Sequence, residues 1–184
     1  MKKIIFIITL FTFSFHINAQ NWKVKPEGLK NSIDSTKTYV VLPIENKTDK
    51  ILYEESLKYI NKNYKNPKEV IKGNIENEYL KFVTYEPKFT ELKVGYNKIP
   101  WNIKYTTELN FKDGKVKYEI TEIEIKNEDN YPLGFQGSGI SFYIYKKNGE
   151  LKMQDAKTNI EEYFNNKTKS LLEFLQGKNS EDKW

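Results

Sequence analysis

The strongest pattern along the chain is a strict alternation. Ile103, Tyr105, Thr107, Leu109 and Phe111 interleave with Lys104, Thr106, Glu108, Asn110 and Lys112. Period two with one polar face is the pattern of an antiparallel strand on a half-exposed sheet. Asp113-Gly114 follows, a dipeptide suited to a type I′ hairpin because both central residues of that turn need φ > 0. A two-residue loop sets Lys112 opposite Lys115, Phe111 opposite Val116, Leu109 opposite Tyr118 and Thr107 opposite Ile120. The apolar faces of the two arms then coincide. Beyond Ile120 the phase slips to Ile123 and Ile125, and one extra residue near Thr121-Glu122, a β-bulge, restores the face.

Two segments carry the helical period. Tyr53, Leu57, Ile60 and Tyr64 recur at spacings of four, three and four, with Glu55, Lys58 and Lys62 opposite. At about 100° per residue they form one stripe. Thr48 or Asp49 is placed to cap the first turn, and Pro67 is expected to end the helix, because the residue before proline avoids the α region. Near the C-terminus, Ile160, Tyr163, Phe164, Leu171, Phe174 and Leu175 share a face. Thr158-Asn159-Ile160-Glu161 fits a capping box, which sets the helix start at Thr158, and Gly177 is a natural stop.

Thr38–Ile44 is rich in β-branched and aromatic residues and reads as a first strand. Shorter strands are expected near Glu69–Ile75 and Tyr79–Tyr85, joined around Glu76-Asn77. The segment after them, with Pro87, Gly95 and Pro100, reads as irregular, and Asn127–Gly139 as a loop. Ile140–Lys146 is a further strand candidate, turned by Asn148-Gly149. The resulting class is α+β: an antiparallel sheet with one helix after the first strand and another at the C-terminus.

The ends divide the chain. Met1-Lys2-Lys3, an apolar run from Ile4 to Phe15 and Ala19 form the n-region, h-region and cleavage site of a signal peptide over residues 1–19. The run is about a dozen residues long, short of the roughly 20 that span a bilayer. Residues 20–37 read as a polar leader, 38–176 as one α+β domain and 177–184 as a tail. An exported, soluble, periplasmic or extracellular protein is expected. No membrane span is expected after cleavage. The chain has no cysteine, so neither a disulfide framework nor a lipid anchor on a thiol is expected.

Aromatic residues make up 15% of the chain against 30% charged, enough to bury a core. Removing Lys2 and Lys3 leaves 28 basic against 25 acidic residues, a formal +3. Every basic residue is lysine, interspersed with acids. Lysine lacks the planar fork that grips phosphates and base edges in two places, so no nucleic-acid partner is expected.

The only histidine is His16, inside the presumed signal peptide. Without His or Cys, the mature chain cannot run Ser-His-Asp or Cys-His catalysis, nor supply the usual transition-metal ligands. Glu108 and Glu119 face each other across the hairpin, but on its polar face, where solvated side chains are the simpler reading. Ser138 in Gly137-Ser138-Gly139 lacks the glycine spacing of a nucleophile elbow and any histidine to activate it. Gly134, Gly137 and Gly139 do not form a phosphate loop, and Asn127-Glu128-Asp129-Asn130 lacks the spacing of a calcium loop. Trp101 is read as core. Catalytic, cofactor-binding and metal residues are therefore assigned as none, and no cofactor is expected.

Asp34-Ser35-Thr36-Lys37-Thr38-Tyr39-Val40-Val41, Tyr59-Ile60-Asn61-Lys62-Asn63-Tyr64-Lys65-Asn66-Pro67-Lys68-Glu69-Val70-Ile71 and Phe111-Lys112-Asp113-Gly114-Lys115-Val116-Lys117-Tyr118 resemble an exported bacterial family of unknown function. That family has a TATA-binding-protein-like fold and is common in Bacteroidetes. The likeness spans about residues 38–125; Lys117 stands where the family often has arginine. It implies a helix packed across a curved antiparallel sheet and a C-terminal helix. It implies no activity and no site residues, and a fold name alone assigns no function. Three functions are left open: a non-enzymatic binding module with an envelope protein or glycan as partner, a carboxylate-dependent hydrolase of envelope glycans, and a structural subunit of an envelope assembly.

Overall fold

The computed structural model describes residues 21–139 and 141–178; the segment 1–19 read as a signal peptide and most of the expected tail lie outside the described residues. In chain order the elements are β1 (Trp22–Lys25), β2 (Gly28–Asn31), β3 (Tyr39–Pro43), α1 (Asp49–Asn63), α2 (Pro67–Val70), β4 (Ile71–Ile75), β5 (Tyr79–Val94), β6 (Asn97–Lys112), β7 (Lys115–Asn127), β8 (Leu133–Gly137), β9 (Phe142–Lys146) and α3 (Gln154–Leu175). Strands β3-β7-β6-β5-β4 form one five-stranded antiparallel sheet.

The central ribbon follows the alternation in register. Lys112 faces Lys115, Phe111 faces Val116, Leu109 faces Tyr118 and Thr107 faces Ile120. The pairing shifts between Lys104 and Thr106, where β7 carries the extra residue and Glu122 takes φ 52°. The bulge keeps Ile125 on the buried side. On that side Ile103, Tyr105, Leu109, Phe111, Val116 and Tyr118 form one core with residues of α1 and α3. Helices packed on the inner face of the sheet, as the family resemblance implies, are observed.

Thr48, rather than Asp49, caps α1: its hydroxyl accepts from the Ile51 N–H at 3.3 Å. The Asp49 N–H donates to Asp113 at 3.0 Å, fixing the helix start to the hairpin turn. The buried face is rotated from the expected stripe and centres on Leu52, Tyr53, Ser56, Tyr59 and Ile60. Leu57 and Tyr64 lie at its margins. Ser56 fits inside because its hydroxyl donates to the Leu52 carbonyl at 2.8 Å and so carries no unmet polar group into the core. Pro67 opens the short turn α2, a position where its missing N–H costs nothing.

Four expectations are corrected. The segment read as a polar leader contains the β1–β2 hairpin, in which Trp22 and Val24 are wholly buried. Its alternation covers only four residues, too few to stand out from a lysine-rich background. The segment around Pro87 and Pro100 is paired strand, not irregular. Strand β5 passes Pro87 by a register shift between Glu86 and Thr90, and Lys88 there takes φ 52°. Pro100 sits where β6 has one neighbour, since β7 ends opposite Trp101, and an edge position tolerates a residue without an N–H.

Within the expected 127–139 loop, β8 pairs in parallel with β9. Its Gly137 lies against Tyr143, so close that a Cβ there would come within 2.9 Å of the ring. Finally, α3 begins at Gln154, a turn before the expected capping box. Thr158 is inside the helix, where its hydroxyl accepts from Gln154, and Glu161 is buried against β1. Thr158→Ala is therefore expected to change stability by no more than about 0.5 kcal/mol in urea titration, whereas a true cap would cost about 1. Gly177 does end the helix: at φ 74° it donates to Phe174 while Lys178 donates to Glu173, the paired bonds of a Schellman motif.

Helix α3 also holds the β1–β2 hairpin. The Trp22 N–H donates to Asn165 at 2.7 Å and its indole N–H to Thr168 at 2.9 Å. One turn earlier, Glu161 accepts from the Val24 N–H at 2.9 Å, and the Tyr145 hydroxyl donates to the Val24 carbonyl. Side chains spaced by a helical turn thus read the backbone of an extended strand.

Candidate functional site

The residues weighed in the sequence do not assemble into a catalytic centre. Glu108 and Glu119 are cross-strand partners as expected, each held separately. Tyr79 donates to Glu108 at 2.8 Å, and Lys81 lies 3.6 Å away. Glu119 accepts from Thr38 at 2.5 Å and pairs with Lys117 at 2.8 Å. Burial works to raise the Glu119 carboxyl, but Lys117 and Thr38 outweigh it and hold the group below its ordinary value. An acid catalyst in a glycosidase needs the opposite shift. Ser138 is exposed on the surface. Asn127 is buried, and its side chain accepts from the Tyr131 N–H as a turn residue; among the described residues no acidic cluster able to hold a metal occurs. Trp101 is fully buried, its ring edge-on to Phe142.

A different feature stands out on the helix side of the sheet. Where the end of α1 and the middle of α3 diverge they leave a cleft of about 360 Å³ floored by β5, β6 and β7. Five tyrosines line it: Tyr59, Tyr64, Tyr85, Tyr105 and Tyr118. Their placement follows from the periods already described. Tyr59 and Tyr64 sit on the last turn and exit of α1, and Tyr105 and Tyr118 on the inward positions of the ribbon. Thr84 and Thr107 add two hydroxyls to the floor; Lys167 and Leu171 of α3 form the far wall.

The hydrogen bonds of this floor are partly closed. Tyr64 and Thr84 share a 2.6 Å bond, and Tyr163 donates to Tyr105 at 3.3 Å. At the mouth Lys167 pairs with Glu86 at 3.1 Å. Thr107 is 1% exposed and borders the cleft, while among the described residues the buried side-chain atom without a partner is the indole Nε1 of Trp101.

The phenols of Tyr64, Tyr105 and Tyr118 are uncharged at neutral pH. Burial pushes Tyr64 up to about 12; its bond to Thr84 opposes the rise, while Tyr59 and the Glu86 carboxylate add to it. Burial likewise holds Tyr105 and Tyr118 well above 10. A neutral phenol both donates and accepts and offers an apolar ring face, but it is a poor nucleophile. The cleft is chemically suited to holding a molecule rather than to reacting with it.

None of these residues was singled out as a site in the sequence, where the tyrosines read as core. The available signal was hydroxyl content on a buried face: Tyr105, Thr107 and Tyr118 occupy inward positions where Phe, Val and Leu would pack as well.

Helices laid on one face of a five-stranded antiparallel sheet, with the other face open, define the class of this domain. Residues 39–126 match the domain of unknown function (DUF4468) with TBP-like fold. Among solved structures the chain resembles a DUF4468 family protein from Bacteroides ovatus ATCC 8483, with 13% identity and a TM-score of 0.51 over 76% of this chain and 85% of that one. A TBP-like protein from Parabacteroides distasonis ATCC 8503 aligns with 16% identity and a TM-score of 0.49 over 76% and 94%. At 13% identity the first likeness shows the fold alone. No curated protein matches the chain. The sheet floor and the α1 wall of the cleft lie inside the family segment; Lys167 and Leu171 on α3 lie beyond it.

Proposed function

We propose that this chain is a non-enzymatic binding module of the periplasm or cell envelope, with the tyrosine-lined cleft as its site. The N-terminal export pattern supports the location. The observation that carries the reading is the cleft itself, about 360 Å³ between α1, α3 and the sheet and lined by five tyrosines with Thr84 and Thr107. That arrangement favours a bound small molecule over bulk packing, which would favour apolar side chains. The hydrolase reading has no comparable support, since Glu108 and Glu119 are each taken up by neighbours and Glu119 is shifted the wrong way. The open sheet face also speaks for a module that does not bind nucleic acid. Its lysines alternate with acids, as in the Lys117–Glu119 and Lys81–Glu108 pairs, whereas a nucleic-acid footprint is uniformly basic.

Native mass spectrometry of the protein after dialysis against low-molecular-weight envelope extract tests the proposal. A discrete adduct is expected on the wild type and not on Asn63→Trp, which plugs the mouth from an exposed rim position. No adduct, or one retained by the plugged variant, refutes the site.

A further inference from the structure

We infer that the open edge of β5 is a self-association surface, along which two copies of this chain pair antiparallel about a two-fold axis at Leu92. This surface lies outside the cleft and does not depend on it. It arises from the order of the strands. Strand β4 is the outer neighbour of β5 and covers it only from Tyr79 to Phe82. From Val83 to Val94, β5 has a strand on one side alone, β6. Such an edge presents unpaired N–H and C=O groups, a template for another chain. The register shift between Glu86 and Thr90, with Lys88 at φ 52°, interrupts it, and a bulge of this kind turns an edge away from pairing. The run beyond, Thr90–Val94, is regular.

The turn at the end of this run decides which groups face outward. Gly95 and Tyr96 link the register partners Val94 and Asn97, and Gly95 takes φ 62°, as the first central residue of a type II′ turn does. A two-residue loop is closed by a hydrogen-bonded pair, and bonded and non-bonded pairs alternate along an antiparallel ladder. Val94, Leu92 and Thr90 therefore bond to β6, and Glu91 and Lys93 turn their N–H and C=O groups to the open edge. Pro100 stands opposite Glu91, where it has no N–H to offer across the ladder. Among the described residues no hydrogen bond from another element reaches Glu91 or Lys93.

The charges select a second copy as the partner. Leu92 is 1% exposed and part of the core, so Glu91 and Lys93 on either side of it project from the opposite, open face, and both are exposed. Neither has an ion-pair partner among the described residues. Lys93 is instead set opposite Lys98 on β6, and like charges across a ladder repel. Pairing about Leu92 places Glu91 of each copy opposite Lys93 of the other. Both of these pairs exchange main-chain hydrogen bonds, and both bring opposite charges side by side on one face, which stabilises cross-strand neighbours. Thr90 then faces Val94, two β-branched residues suited to strands. Because both copies use the same edge, the assembly closes at a dimer. The pairing stops at the register shift, short of Tyr85 and Glu86 at the cleft.

Sedimentation velocity of the purified protein tests the interface. So short a pairing buries little surface, and a dissociation constant of roughly 10–500 μM is expected; the mass should rise from one chain towards two between about 5 μM and 2 mM. Glu91→Lys and Lys93→Glu each set like charges opposite one another and should weaken self-association by about tenfold or more. Both positions are exposed, so the melting temperatures of the two variants should match that of the wild type. Mixed in equal amounts, the two variants should associate with each other about as tightly as the wild type does with itself, since acid again meets base at both positions. The double exchange, Glu91→Lys with Lys93→Glu, should dimerise like the wild type for the same reason. A wild type that stays monomeric throughout overturns the inference. A dimer that either single substitution leaves intact places the interface elsewhere, and loss in both variants without rescue in the mixture overturns the register about Leu92.

Discussion

Trp22→Ala is expected to destabilise the protein by about 3–5 kcal/mol, the cost of emptying a fully enclosed tryptophan site. Trp22 is 0% exposed. Its ring stands edge-on to Tyr118, with centroids 6.0 Å apart, and its indole N–H donates to Thr168. Alanine would remove that packing and leave Thr168 and Tyr118 facing a cavity behind the cleft floor. Because folded domains are stable by only about 5–15 kcal/mol, the variant should unfold at markedly lower urea, or fail to accumulate. A loss below about 1 kcal/mol would mean that the β1–β2 hairpin is not docked on α3.

Glu161→Ala has the second largest expected effect, about 2–4 kcal/mol. It removes an acceptor that holds the Val24 N–H at 2.9 Å and Lys157 at 2.6 Å, and orphans the buried N–H. The same carboxylate makes the docking pH-sensitive. Burial works to raise its pKa, but Lys157, the Val24 N–H and Lys23 together hold it below the ordinary 4.5. A carboxyl lowered in the folded state adds stability above its unfolded pKa and loses it as pH falls through the folded one. The gap in stability between wild type and Glu161→Gln should thus be full at pH 7 and shrink below about pH 4.5. A gap independent of pH down to unfolding would show that Glu161 acts through packing alone.

Much of the frame was legible because it rests on long periodic segments. The 103–125 ribbon has more than ten alternating positions and a turn dipeptide, so register and even the bulge followed from counting. What escaped were features fixed by tertiary contact. The four residues of β1 have too short a period to register, and their burial is decided by Asn165 and Thr168 on a helix more than 140 positions away. Glu161 matched a local capping pattern, yet its oxygens went to β1, because satisfying a buried strand N–H outweighs a cap the helix does not need there. Pro87 and Pro100 signal irregularity locally, but a register shift and an edge position let both lie within strands. The cleft was invisible for a related reason. Tyrosine and phenylalanine look alike in a hydrophobic pattern, and only the assembled fold brings Tyr59, Tyr64, Tyr105 and Tyr118 around Thr84 and Thr107.

The most direct test is carbon NMR of the protein labelled at the tyrosine ring carbon bearing the hydroxyl, recorded with and without the extract that yields the adduct. Resonances of Tyr59, Tyr64 and Tyr105 should move on binding, while those of Tyr39, Tyr96 and Tyr131, remote from the cleft, stay in place. Movement confined to the latter three, or none at all, would contradict the assignment of the cleft as the binding site.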